Sequence, residues 1–267
     1  KVKAAEMSRD LQHLTKLGDN QSIWTLINDV FINKINNLIR QVPPEETAEL
    51  VASFDQDLRK TICDMVEVEK ISDRSWDLIR LAEGGGIGFM EDNAKCAYIA
   101  SFIQGLPFAH KNVVGLTQII EEFTRVFNDE NQDEFNSLTT NPLYPATLVQ
   151  FMKLAKELQI NDPENVDIVT LLNTDEKDLG KLQHKLGTGQ RIARTKDIRS
   201  AVFNEQSIEG IRAVTVLDCI STPESMAWLK ARAKTFAQQI PSEEWAYSFR
   251  NRFCIDHPGI GNGLMCA

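Results

Sequence analysis

Residues 181–199, KLQHKLGTGQRIARTKDIR, gather six cationic side chains, Lys181, Lys185, Arg191, Arg194, Lys196 and Arg199, against the single carboxylate of Asp197. The chain as a whole carries a formal charge of −9, so this stretch inverts the sign of its surroundings. Guanidinium and ammonium groups at that density supply most of the sequence-independent affinity of proteins for a phosphate backbone. The negative field of the remaining chain weakens such binding without abolishing it where the positive charge is concentrated. Lys181, His184 and Lys185 follow steps of three and four residues, which predicts one face of a helix starting near Thr174. Gly187 and Gly189 are then expected to open a basic loop that carries Arg191, Arg194, Lys196 and Arg199. The competing readings are a solvated surface and a counter-charge for acidic residues of the same fold.

Other stretches carry less chemistry. EGGGIGFMEDN offers glycines that let backbone amides approach an anion, but it has neither GxxxxGK[ST] nor GxGxxG. Glu83, Glu91 and Asp92 around it repel phosphate, so it reads as a flexible helix connection with left-handed turns. The acidic run at 121–134 includes Glu121, Glu122, Asp129, Glu130, Asp133 and Glu134 without the spacing of a calcium loop, and FDQDL at 54–58 is no closer. Both read as solvated helix ends. Cys63, Cys96, Cys219, Cys254 and Cys266 are odd in number and never form CxxC, which argues against a disulfide framework or a zinc module and for a reducing compartment. His13, His110, His184 and His257 are scattered, with no HExxH pair, and there is no GxSxG. No catalytic residue, metal ligand or cofactor is assigned.

HPGIGNG, residues 257–263, is similar to the HPFxxGNGR motif of Fic-domain AMP-transferases, in which the His acts as base and the glycine turn binds phosphates. This sequence is one residue shorter between Pro258 and Gly261, has Leu264 in place of the motif's Arg, and continues for only three residues beyond it. The expected role of 255–267 is therefore a tail, a docking arm for a neighbouring copy rather than a transferase site.

The elements that must position these residues read as helices. Ile23, Ile27, Val30, Phe31, Ile35, Leu38, Ile39 and Val42 form one stripe stopped by Pro43 and Pro44; Glu45 and Glu46 then suit the start of the next helix. Further stripes run through RSWDLIRLAE, through EDNAKCAYIASFIQGL, along Leu116, Ile120, Phe123 and Phe127, and along Leu148, Phe151, Met152, Ala155 and Leu158. A break is expected at GLPFAHKN. VDIVTLL (166–172) and IRAVTVLDCI (211–220) are β-branched, yet helices are preferred there, with a small C-terminal sheet as the alternative. Asn173 with Glu176, and Thr222 with Pro223, suit helix starts, and Trp245, Phe249 and Phe253 line one side of a last helix. The expected fold is all-α, with about a dozen helices at the usual length, in two lobes, 1–108 and 109–254. AYIASFIQGLPFA is too short and too broken to cross a bilayer.

These readings favour a non-enzymatic binding or assembly protein, intracellular, that engages RNA or DNA through 181–199 and forms homo-oligomers. Helical viral nucleoproteins and matrix proteins combine such features, an analogy of architecture alone. The alternatives are an enzyme with its pocket between the lobes, and a protein-interaction adaptor or effector.

Overall fold

Every regular element in the computed structural model is helical, and no strand occurs among the described residues, which are 2–81, 84–128, 132–142, 144–161, 168–175, 177–205, 207–220, 226–231, 235 and 239–256. The helices are α1 (Val2–Leu14), α2 (Asn20–Leu26), α3 (Ile32–Ile39), α4 (Pro44–Met65), α5 (Asp73–Arg80), α6 (Met90–Asn112), α7 (Leu116–Asn128), α8 (Gln132–Thr140), α9 (Ala146–Asn161), α10 (Ile168–Leu172), α11 (Leu179–Phe203), α12 (Ile208–Ile220), α13 (Ala227–Lys230) and α14 (Ser242–Arg252). A π-helical segment, Ile27–Phe31, joins α2 to α3. The sheet alternative fails where it can be read, since 168–172 lie in α10 and 211–220 in α12; residues 166 and 167 lie outside the described residues.

Local chemistry accounts for many of the boundaries. Asp19 caps α2, its side chain accepting from the Gln21 amide, and Ser72 caps α5 by accepting from Ser75 N at 3.1 Å. Pro44 opens α4, where its missing N–H costs nothing, and Glu45 and Glu46 fill the first turn.

Packing groups the chain into two compact units. The first comprises residues 1–35, 49–90 and 194–267, the second 36–48 and 91–193. In the first, Trp24, Trp228, Trp245, Phe249 and Phe253 stack with ring centroids between 4.6 and 5.9 Å. Polar pins surround this cluster: Asn20 donates to the carbonyls of Met65 (2.9 Å) and Ser242 (3.0 Å), and Gln21 donates to that of Ala231 (2.6 Å). Arg250 donates to the Val66 carbonyl. Asn20 and Arg250 thereby satisfy carbonyls that the end of α4 leaves open.

The second unit is built on aromatic and aliphatic packing. Phe123, Phe127 and Phe151 are fully buried among α6, α7, α8 and α9, with Leu171, Leu182 and Leu186 closing the cluster. α6 is its axis. Cys96 to Ala100 are five consecutive buried residues, so the helix is covered on all sides at this level, which is why its sequence is so apolar.

Two expected breaks are overruled by this packing. α6 runs through Gly105 and Pro107 to Asn112. Ile103 and Leu106 are buried on either side of the glycine, and that burial outweighs the roughly 3 kcal/mol that an internal proline costs a helix. Gly187 and Gly189 lie inside α11 rather than opening a loop, flanked by the buried Leu186 and Gln190. α11 also begins at Leu179, later than the Asn173 start expected; Asp178 and Leu179 donate their amides to the Asp175 carbonyl. The Thr222–Pro223 start lies outside the described residues.

Candidate nucleic-acid interface

The six cations expected to act together all sit on α11, yet they fall into two kinds. Lys181, Lys185 and Lys196 are exposed, whereas Arg191, Arg194 and Arg199 are half-buried. Lys181 and Lys185, with the exposed His184 between them, belong to the second unit at a four-residue step. Lys196 and Arg199 belong to the first, three residues apart. Among the described residues none of these four enters an ion pair.

Arg191 and Arg194 are committed elsewhere. Arg191 donates to Thr188 Oγ1 at 3.0 Å, and that hydroxyl donates to the His184 carbonyl at 2.8 Å. The guanidinium of Arg194 lies 5.2 Å from the centre of the Phe89 ring. It ends a ladder inside the first unit in which cations and rings alternate. Arg80 sits 4.2 Å from Phe89 and 5.7 Å from Trp76, and Arg59 lies 5.9 Å from Trp76. Carboxylates edge the ladder: Asp55 accepts from the Trp76 indole N–H at 3.0 Å and pairs with Arg80 at 3.6 Å, while Asp77 pairs with Arg80 at 2.6 Å. Asp73 pairs with Arg59 at 2.8 Å, and that bond with its charge holds the Asp73 carboxyl below its usual pKa. FDQDL is thus no solvated end: Asp55 serves the ladder and Asp57 accepts from Ser8. Nothing in the linear sequence joins Arg194 to Phe89, over a hundred positions away.

The glycine-rich and acidic stretches are tied into the fold where they are described. Gly84 and Gly85 are buried, and a Cβ on either would meet the backbone oxygens of Leu78 (2.0 Å) or Ile79 (2.5 Å). The amides of Gly84 and Gly86 donate to the Leu81 carbonyl and that of Gly88 to Arg80, so the donors a phosphate would need close the end of α5 instead. Gly86 and Gly88 take φ of 77° and 83°, the left-handed turns expected, but the connection is packed rather than open. In the acidic run, Glu122 accepts from the Tyr144 hydroxyl at 2.8 Å, which raises the pKa of that phenol, and Glu134 pairs with Arg125 at 2.7 Å. Asp129 and Glu130 lie outside the described residues, as does HPGIGNG. No group of three His, Cys, Asp or Glu side chains among the described residues could hold a metal ion. Cys63, Cys96, Cys219 and Cys254 form no disulfide among the described residues, and no described helix is long and apolar enough to cross a membrane.

Comparison of the chain with protein-family models, with curated proteins and with solved structures finds no match.

Proposed function

We propose that the chain is a non-enzymatic helical binding and assembly protein that grips single-stranded RNA or DNA through the cations of α11 that enter no ion pair among the described residues, with little preference for sequence. The observation that supports this reading is the lack of any ion-paired carboxylate, among the described residues, on Lys181, Lys185, Lys196 and Arg199. Charge left uncompensated on the exposed and half-buried face of a helix is available to a polyanion, whereas the ladder withdraws Arg194 from that role. Homo-oligomers in a reducing, intracellular compartment complete the proposal, with the acidic segment 121–134 of one copy as the competitor for the same cations.

Titration with labelled single-stranded RNA over a range of salt concentrations tests it. Affinity falls steeply with salt, and Lys181→Gln with Lys185→Gln flattens the slope of log affinity against log salt by about 1.4, at about 0.7 for each phosphate no longer neutralised. Arg194→Met leaves the slope unchanged. Absence of salt-sensitive binding in the wild type at low ionic strength refutes the proposal. A loss of self-association in the Lys pair variant, with RNA binding intact, transfers these residues to an interface between copies.

A further inference from the structure

We propose that the second unit binds a small amphiphilic anion, a carboxylate on an unbranched apolar body, with the carboxylate on Arg40 and the body in the adjoining cavity. This site is independent of α11 and of the nucleic-acid reading. The cavity has a volume of about 500 Å³, within the range of about 300–1,000 Å³ usual for small-molecule sites. Its walls are mainly apolar, with Phe102, Leu106 and Ala109 from α6, Leu116 from α7 and Leu148 from α9. Phe102 stacks on Phe151 at 4.3 Å and 13°, which makes that wall flat and stiff.

Among the described residues, Arg40 is the only charged side chain lining the cavity. Its Nε donates to Ser101 Oγ at 3.3 Å and its Nη2 to Gln104 Oε1 at 2.8 Å; Gln104 is itself oriented by donating to the Leu179 carbonyl at 2.8 Å. Neutral groups therefore aim the guanidinium, and no carboxylate among the described residues neutralises it. A carboxylate felt at the wall, Glu46, bears on the Tyr98 hydroxyl and does not line the cavity. A half-buried cation against an apolar wall gains most from a ligand that supplies the missing charge and covers that wall. The planar fork of a guanidinium matches a carboxylate in shape. A polyphosphate chain would leave most of this wall uncovered.

Gly105 gives a second line of support. It lines the cavity, and a Cβ placed on it meets nothing within 4 Å. Glycine inside a helix weakens it relative to alanine, so the position keeps space at the expense of helix stability.

Isothermal titration of the full chain at neutral pH with decanoate, and with decanol as the uncharged counterpart, tests the site. Wild type binds decanoate at least about tenfold more tightly than decanol, the ratio expected when one charge-assisted hydrogen bond is lost. Arg40→Gln removes that advantage and leaves decanol binding unchanged. Gly105→Leu, whose Cβ enters open space and whose longer side chain occupies the cavity, abolishes binding of both and retains the helical circular dichroism of the wild type; it tests the cavity even if the Arg40 variant fails to fold. Equal affinity for acid and alcohol, no decanoate binding to wild type, or unchanged decanoate binding in Gly105→Leu each overturns the proposal.

Discussion

The two units solve the problem of closure differently. The first is assembled from three separated stretches of chain, and its seams carry polar pins: Asn20 reaches the carbonyls of Met65 and Ser242, and Ser242 Oγ donates to the Gly18 carbonyl at 2.9 Å. The second draws nearly all its residues from the continuous stretch 91–193; its hydrophobic cluster runs from α6 through α9, with Thr139 and Gln190 buried as polar residues. A unit whose parts are distant in sequence gains from directional bonds, because they fix which segments meet and in what register. A unit whose neighbours follow one another along the chain already has much of that information in its connections and relies on such bonds less, although Gln104 donates to the Leu179 carbonyl and Lys156 to that of Phe127. The ladder of arginines and rings belongs to the first strategy, and the open cavity beside Arg40 to the tolerances of the second.

The sharpest way to probe this contrast is chemical. Cys96, wholly buried in the second unit, has its pKa pushed up to about 12, first by burial and then by the charge of Asp92. Native protein treated with iodoacetamide at neutral pH is modified at the exposed Cys219 and not at Cys96; mass spectrometry of the peptides checks it. The pH dependence follows. An unfolded thiol ionises near its ordinary value of 9.0 while the folded one holds its proton to about 12. The stabilising contribution of Cys96 is therefore fully present below pH 9 and is lost as pH rises through that window. Cys96→Ala removes this component of alkaline destabilisation.

The aromatic hubs come next. Trp245→Ala, in the centre of the first cluster, lowers the free energy of unfolding by about 3–5 kcal/mol in urea titrations. A loss below about 1 kcal/mol would deny the cluster its central role. Asn20→Ala leaves two carbonyls without their donor and costs about 1–3 kcal/mol. The contrast between the units sharpens if Thr139→Ala, at a buried polar residue of the second unit whose hydroxyl donates to the Asn136 carbonyl of its own helix, costs clearly less than Asn20→Ala. The smallest effect has the opposite sign. Gly105→Ala raises stability by about 0.5–1 kcal/mol, since its Cβ enters open space and the helix gains propensity.

What could be read without coordinates was what local periodicity encodes. The stripe Leu148, Phe151, Met152, Ala155 and Leu158 is buried residue by residue, as are Trp245, Phe249 and Phe253. The preference for helix at 168–172 and 211–220 also holds. What escaped depends on partners far along the chain. Gly187, Gly189 and Pro107 signal breaks locally, and only neighbours such as Leu106, Leu186 and Gln190, held in a core, override them. Arg194 reads like any cation of a basic run until Phe89 is placed beneath it. The interleaving of chain segments between the units leaves no mark in composition or spacing. Of the candidate site, the sign and location of the charge were legible; its division between exposed lysines and a seated arginine was not.

The tryptophan cluster makes the molecule its own fluorimeter. Trp24, Trp76, Trp228 and Trp245, all four in the chain, belong to the first unit, while of the three tyrosines Tyr247 belongs to the first and Tyr98 and Tyr144 to the second. Emission excited at the red edge, where only indole absorbs, comes wholly from residues of the first unit. Far-ultraviolet ellipticity weighs every helix in both. Superimposable denaturation curves from the two signals mean that the units melt as one cooperative body, and separated midpoints assign an order of melting without any engineered probe.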